Sequence, residues 1–130
     1  MLVNPSDLVA RAKATITECS VSHAEDCLDS MTLIVDLREL AEFQRGHIPG
    51  ALHLPRGLLE FEIHGFVDRH RRDVEIAHED QPIVLYCGTG GRSALAARDL
   101  EDLGYRNVKS MAGGIVAWAQ AGLPVENSDA

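Results

Sequence analysis

Two short apolar runs, Thr32-Leu33-Ile34-Val35-Asp36 and Pro82-Ile83-Val84-Leu85-Tyr86, dictate most of what this chain can fold into. Neither run alternates with polar residues, so each reads as a strand buried on both faces, the condition of a parallel sheet covered by helices. Between and around them lie segments of helical character. Leu8, Val9, Ala12 and Ile16 recur at roughly helical spacing after Asn4-Pro5-Ser6-Asp7, with Ser6 or Asp7 as the N-cap. A second short helix is expected at about 22–29, and a brief one at 40–45 closed by Gly46 in a left-handed C-cap. A short strand at 51–54, a helix at 58–67 ending near Gly65, and a charge-rich surface segment at 68–80 follow. Beyond the second apolar run come a helix to about Leu103 capped by Gly104, a strand at 108–111 and a last helix at 115–121. Helices alternating with buried strands predict an α/β fold with three layers, a central and mostly parallel sheet flanked by helices.

At 130 residues the chain suits one domain, with a core over about 16–124 and a helical extension at about 6–15. Twelve basic against twenty acidic residues leave a net charge of −8, which argues against nucleic acid and anionic membranes as partners. No stretch approaches the ~20 apolar residues that span a bilayer. Three cysteines cannot pair completely within one chain, and the first twenty residues hold Arg11 and Lys13 but no signal-like apolar core. These features predict a reducing, cytoplasmic setting.

The second apolar run leads directly into Cys87-Gly88-Thr89-Gly90-Gly91-Arg92-Ser93 and then a helix. In α/β folds ligands sit beyond the carboxyl ends of the strands, and Cys87 occupies that position. A helix N-terminus offers unpaired N–H groups and about half a positive charge. Glycines at 88, 90 and 91 let successive N–H groups turn inward as an anion nest. Arg92 adds a full charge and Ser93 a hydroxyl. All of these favour thiolate over thiol, so Cys87 is predicted to titrate below an ordinary cysteine and to act as a nucleophile. A buried structural cysteine before a glycine turn is the alternative, and the coincidence of thiol, three glycines, arginine and helix start opposes it. The loop is not a Walker loop, which needs Lys before its final Ser or Thr, nor a dinucleotide loop, which needs Gly where Ser93 stands.

Three motifs in order resemble a single-domain rhodanese over about 16–124. The first runs Leu33-Ile34-Val35-Asp36-Leu37-Arg38-Glu39, through Glu42-Phe43, Gly46-His47-Ile48-Pro49-Gly50-Ala51 and Leu54-Pro55. The second is the loop from Cys87 to Ser93. The third comprises Leu103-Gly104-Tyr105, Val108, Gly113-Gly114, Trp118 and Gly122-Leu123-Pro124. The resemblance implies a sulfurtransferase working by double displacement. Cys87 would carry sulfane sulfur as a persulfide, taken from thiosulfate or a low-molecular-weight or protein persulfide and passed to a thiol, a protein acceptor or, in an assay, cyanide. Gly88, Thr89, Gly90, Gly91, Arg92 and Ser93 would bind the donor, and no cofactor is implied. Related cysteine-dependent phosphatases carry five residues between Cys and Arg; four separate Cys87 from Arg92, which disfavours phosphatase or arsenate reductase chemistry. A rhodanese-fold module that binds a partner or senses oxidants is the other alternative, opposed by the presence of Cys87.

Asp36, Arg38 and His47 are expected to be structural supports, the carboxylate and the imidazole fixing neighbouring loops by hydrogen bonds. The six histidines lack close ligand spacing, so no metal is expected. Cys19 and Cys27 read as core residues, with resolution of Cys87 as a disulfide the alternative. Arg69, Arg71 and Arg72 stand among Asp68, Asp73, Glu75, Glu79 and Asp80, a solvated surface by default and a steering patch for anionic donors as the alternative.

Overall fold

The computed structural model describes residues 1–71 and 75–128. Its frame is a five-stranded sheet of β1 (Thr17–Cys19), β2 (Leu33–Asp36), β3 (Leu52–His53), β4 (Ile83–Tyr86) and β5 (Val108–Met111). The spatial order is β1-β5-β4-β2-β3, and every pairing is parallel. Six α-helices are described: α1 (Pro5–Lys13), α2 (Val21–Asp26), α3 (Leu40–Arg45), α4 (Leu59–His70), α5 (Gly91–Leu103) and α6 (Gly114–Gln120). This is the α/β architecture expected from the two apolar runs.

The runs are continuous because each face of the sheet has its own core. Leu33 and Val35 of β2, with Ile83 and Leu85 of β4, pack with Leu59, Ile63 and Val67 of α4 and Ala96, Ala97 and Leu100 of α5. Ile34, Val84 and Tyr86 point the other way, to Ala24 of α2 and Trp118 of α6. Side chains alternate along a strand, so a strand covered on both faces is apolar at successive positions, and Asp36 at the end of β2 is buried only with a charged partner. Burying one such Leu or Ile is worth roughly 1.5–3 kcal/mol.

Several local expectations are corrected. The first helix starts at Pro5, with Asn4 as N-cap, so neither Ser6 nor Asp7 caps it; proline suits this first position because its missing N–H has no partner to lose. β1 was not expected. Its Thr17 and Glu18 are exposed, so it carries almost no hydrophobic pattern, and only its register with β5 (Cys19 beside Met111) defines it. α2 begins at Val21, where Ser20 accepts a hydrogen bond from the His23 N–H at 3.0 Å. Gly46 closes α3 at φ 169°, extended and not left-handed. Glycine is needed there for space, since a Cβ would lie 2.8 Å from Val125 Cγ1. Gly65 lies inside α4, which continues to His70, while Gly104 (φ 116°) caps α5 as expected. Among the described residues no helix is long and apolar enough to cross a membrane.

Candidate active site

Cys87 follows the last residue of β4, the central strand, and the seven residues from 87 to 93 curl from the strand end into α5. Gly90 is the N-cap of α5 and has φ 109°, a left-handed conformation that glycine adopts without strain. That turn aims the helix N-terminus back at the sulfur. The N–H groups of Gly90 and Ser93 point at Cys87 Sγ from 3.2 and 3.4 Å, and Ser93 Oγ lies 3.6 Å away. The nest expected from successive N–H groups is narrower than the sequence suggested: among the described hydrogen bonds only the N–H groups of Gly90 and Ser93 reach the sulfur, and of the three loop glycines only Gly90 has a positive φ.

Burial alone pushes the Cys87 thiol up, because Cys87 is only 1% exposed. The hydroxyl and N–H of Ser93, the N–H of Gly90 and the charge of Arg92 outweigh it, and the net displacement is downward. Cys19 shows the opposite balance: burial first, then the neighbouring Cys27, push it up to about 11. The two buried thiols thus differ by their hydrogen bonds and neighbouring charged groups rather than by burial.

The loop is held from behind by the first turn of α6. Ile115 N–H donates to Cys87 O (2.9 Å) and Val116 N–H to Gly88 O (3.1 Å). Gly114, at φ 57°, makes this approach possible, since a Cβ there would sit 2.5 Å from Cys87 O and collide with Gly88 O. Below the loop, Ser93 Oγ meets Ser110 Oγ of β5 at 2.8 Å, and both serines are 0% exposed. Ser110 was missed by sequence reasoning. The available signal was a hydroxyl in a strand whose neighbours Val108 and Met111 are core residues, on the strand next to β4.

Glu42 was also missed as a loop partner. It projects from the first turn of α3 and binds Arg92 by two contacts, Nη1 to Oε1 at 2.9 Å and Nη2 to Oε2 at 3.2 Å. The Arg92 hydrogen bond holds the Glu42 carboxyl at about 2, and the same contact raises Arg92. Arg92 lies over the loop, with Nη2 3.2 Å from the place a Gly88 Cβ would occupy. The loop mouth beside Gly88 is accordingly narrowed by this guanidinium. Thr89 is the exposed tip of the loop.

Asp36, Arg38 and His47 sit beside the site and none touches Sγ in the described hydrogen bonds. Asp36 accepts from Arg38 N (2.9 Å), Nε (3.1 Å) and Nη2 (2.8 Å), and Arg38 Nη2 also donates to Gly46 O at 2.6 Å. This ties the end of β2 to the end of α3. His47 stacks on Phe43 at 3.8 Å, its Nδ1 donates to Phe43 O, and its Nε2 faces Glu126 at 3.4 Å.

Cys19, Cys27 and Cys87 are free thiols. Cys19 is buried and Cys27 half-buried. β5 separates β1 from β4, so Cys19 and the Cys87 end of β4 stand two strand spacings apart, roughly 9.5 Å. A disulfide needs Cα atoms within about 7 Å, so Cys19 does not resolve Cys87 in this fold. Arg69 stacks on Phe66 and Arg71 donates to Ile76 O, while Arg72 lies outside the described residues. Their helix end neighbours Met31, which precedes β2, because His70 Nε2 binds Met31 O. That is the end of the sheet opposite Cys87, which removes Arg69 and Arg71 from the approach to the loop. Among the described residues no group of three or more His, Cys, Asp or Glu is placed to hold a metal.

Residues 20–121 match the rhodanese-like domain model. The chain belongs to the rhodanese-like domain family. A sulfurtransferase of Allochromatium vinosum is 41% identical over 93 residues, covering 72% of this chain and 77% of that one. The thiosulfate sulfurtransferase GlpE of Haemophilus influenzae is 32% identical over 112 residues, covering 85% and 95%. Among solved structures, a protein of unknown function from Rhodopseudomonas palustris, described as a possible tyrosine phosphatase, superposes with a TM-score of 0.79 at 32% identity, covering 97% of this chain and 96% of that one. This rhodanese-like chain also shares its fold with the polysulfide-sulfur transferase homodimer of Wolinella succinogenes (TM-score 0.71, 26% identity, 95% and 87% covered).

Proposed function

We propose that this rhodanese-like protein is a sulfurtransferase whose Cys87 carries the transferred sulfur. The observation that carries the reading is the convergence on Cys87 Sγ of the Gly90 and Ser93 N–H groups and the Ser93 hydroxyl. The names of its sulfurtransferase relatives support it. In the loading step the Cys87 thiolate attacks the outer sulfur of the donor. With thiosulfate the S–S bond breaks and both its electrons leave with sulfite; with an alkyl persulfide they leave on a thiolate, which takes up the persulfide's proton. Cys87 is left as a persulfide anion, and the nest and Arg92 stabilise that charge. In the second step an acceptor thiolate, or cyanide, attacks the outer sulfur and Cys87 thiolate returns.

The donor is a small anionic or persulfide species and the acceptor a thiol, free or on a protein. Free thiols and a net charge of −8 suit a reducing cytoplasm and neither nucleic acid nor a membrane surface. The test is the intact mass of the reduced protein before and after thiosulfate or a persulfide donor, beside Cys87→Ala. A gain of one sulfur atom in the unmodified protein alone, reversed by cyanide, is expected. Absence of loading with every donor sinks the reading. The description of the Rhodopseudomonas palustris relative favours a second one, and Cys87-dependent hydrolysis of an aryl phosphate without sulfur loading would replace the first by it.

A further inference from the structure

The cation of the loop is paired with a carboxylate, and this bears on which donors enter. Arg92 gives two N–H groups from its two terminal nitrogens to the two oxygens of Glu42. Such a fork-on-fork pair is oriented and desolvates both partners' facing atoms. Glu42 is itself fixed, because its Oε1 also accepts the Glu39 N–H at 3.1 Å as the third residue of the α3 capping box. The carboxylate is therefore built into the start of α3 rather than drifting on the surface. An anion approaching the loop meets a guanidinium and a carboxylate side by side, a dipole in place of a monopole, on a chain already at −8.

We infer that Glu42 is a specificity-determining residue, its pairing with Arg92 turning the loop mouth away from the thiosulfate dianion and toward singly charged or neutral-tailed persulfides. The inference rests on the sulfur-transfer reading and deepens it. Thiosulfate brings two charges to the mouth and leaves as sulfite, which carries them out. An alkyl persulfide brings at most one, and its leaving group departs as a neutral thiol once it holds the proton. The penalty imposed by the Glu42 carboxylate scales with the donor's charge, so it falls about twice as heavily on thiosulfate. Thr89, the exposed tip of the loop, is where an organic tail can lie beside Arg92.

The experiment measures second-order rate constants for sulfur loading of Cys87, read by intact mass, with thiosulfate and with 2-mercaptoethanol persulfide, in the unmodified protein and in Glu42→Gln. Glutamine keeps the capping hydrogen bond and removes the charge, and a melting curve verifies that the variant is folded. At low ionic strength the thiosulfate-to-persulfide ratio of rate constants should rise about fivefold in Glu42→Gln, and the rise should shrink at high salt. A ratio that stays constant or falls, while either donor still loads, overturns the inference and makes Glu42 a mere support for Arg92. If neither donor loads the unmodified protein, it is the sulfur-transfer reading that fails, and the inference goes with it.

Discussion

Gly114 is the residue on which the shape of the Cys87 loop can be tested most sharply. Replacing it by alanine places a methyl group 2.5 Å from Cys87 O and 2.6 Å from Gly88 C, where van der Waals contact needs more than 3 Å. None of the opposing atoms is the end of a flexible side chain; all belong to the loop backbone. The residue also sits at φ 57°, a left-handed conformation that costs a non-glycine residue roughly 1–2 kcal/mol. Relieving the overlap requires the loop to lift and to lengthen the hydrogen bonds from Ile115 and Val116, each worth about 1 kcal/mol. The total cost is about 4 kcal/mol, in the range of overpacked cores. For 130 residues that corresponds to a fall in Tm of ~15 °C. Thermal unfolding followed by circular dichroism, paired with the rate of Cys87 alkylation at pH 7, reads both consequences. Gly114→Ala should melt lower and, while folded, present a sulfur that has lost donors and alkylates more slowly. A variant with unchanged Tm and unchanged alkylation would refute the claim that the α6 turn holds the loop.

Four further outcomes are expected. Alkylation of Cys87 should reach its plateau at a lower pH than that of an ordinary thiol, and Ser93→Ala should move the midpoint up, as quantified by mass spectrometry across a pH series. Because the folded-state pKa is lowered, the stability tied to this ionisation is fully present above the range of the unfolded thiol and is lost as pH falls through the folded value; urea midpoints of the unmodified protein relative to Cys87→Ala should show that slope. Ser110→Ala should raise the Cys87 midpoint without touching the sulfur: a thiolate only accepts, so the Ser93 proton is drawn from Gly90 O (3.3 Å) toward Sγ, and Ser110 can donate to the Ser93 oxygen in that arrangement. An unchanged pH profile, or one unchanged by Ser110→Ala only in a Ser93→Ala background, separates the absence of such a relay from its presence. Asp36→Ala should cost about 3–5 kcal/mol in chemical denaturation, since it strands Arg38, which is 7% exposed, without its charge partner. A loss below ~1 kcal/mol would show that the pair is dispensable.

What was legible in the chain was whatever leaves a local trace. Leu33 to Asp36 and Ile83 to Tyr86 declare doubly covered strands because every position in them is buried. The loop from Cys87 to Ser93 declares an anion-stabilising turn because thiol, glycines, arginine and helix start are consecutive, and the role of each follows from short-range geometry. The lowered Cys87 thiol follows from the same seven residues, since its donors, the Ser93 hydroxyl and N–H and the Gly90 N–H, and the charge of Arg92 all lie in the loop. What the tertiary structure decided are the contacts that join distant segments. β1 exists because β5 offers it a backbone edge, not because Thr17 and Glu18 favour a strand. Ser110 meets Ser93 only because β5 lies beside β4, and Glu42 reaches Arg92 across fifty positions of sequence. The space that Gly46 leaves is likewise filled by a remote neighbour, Val125, whose Cγ1 would lie 2.8 Å from an added Cβ. Propensity and periodicity record the environment of a residue along the chain; the partner of a side chain across the fold is set by sheet order and packing, which no local pattern encodes.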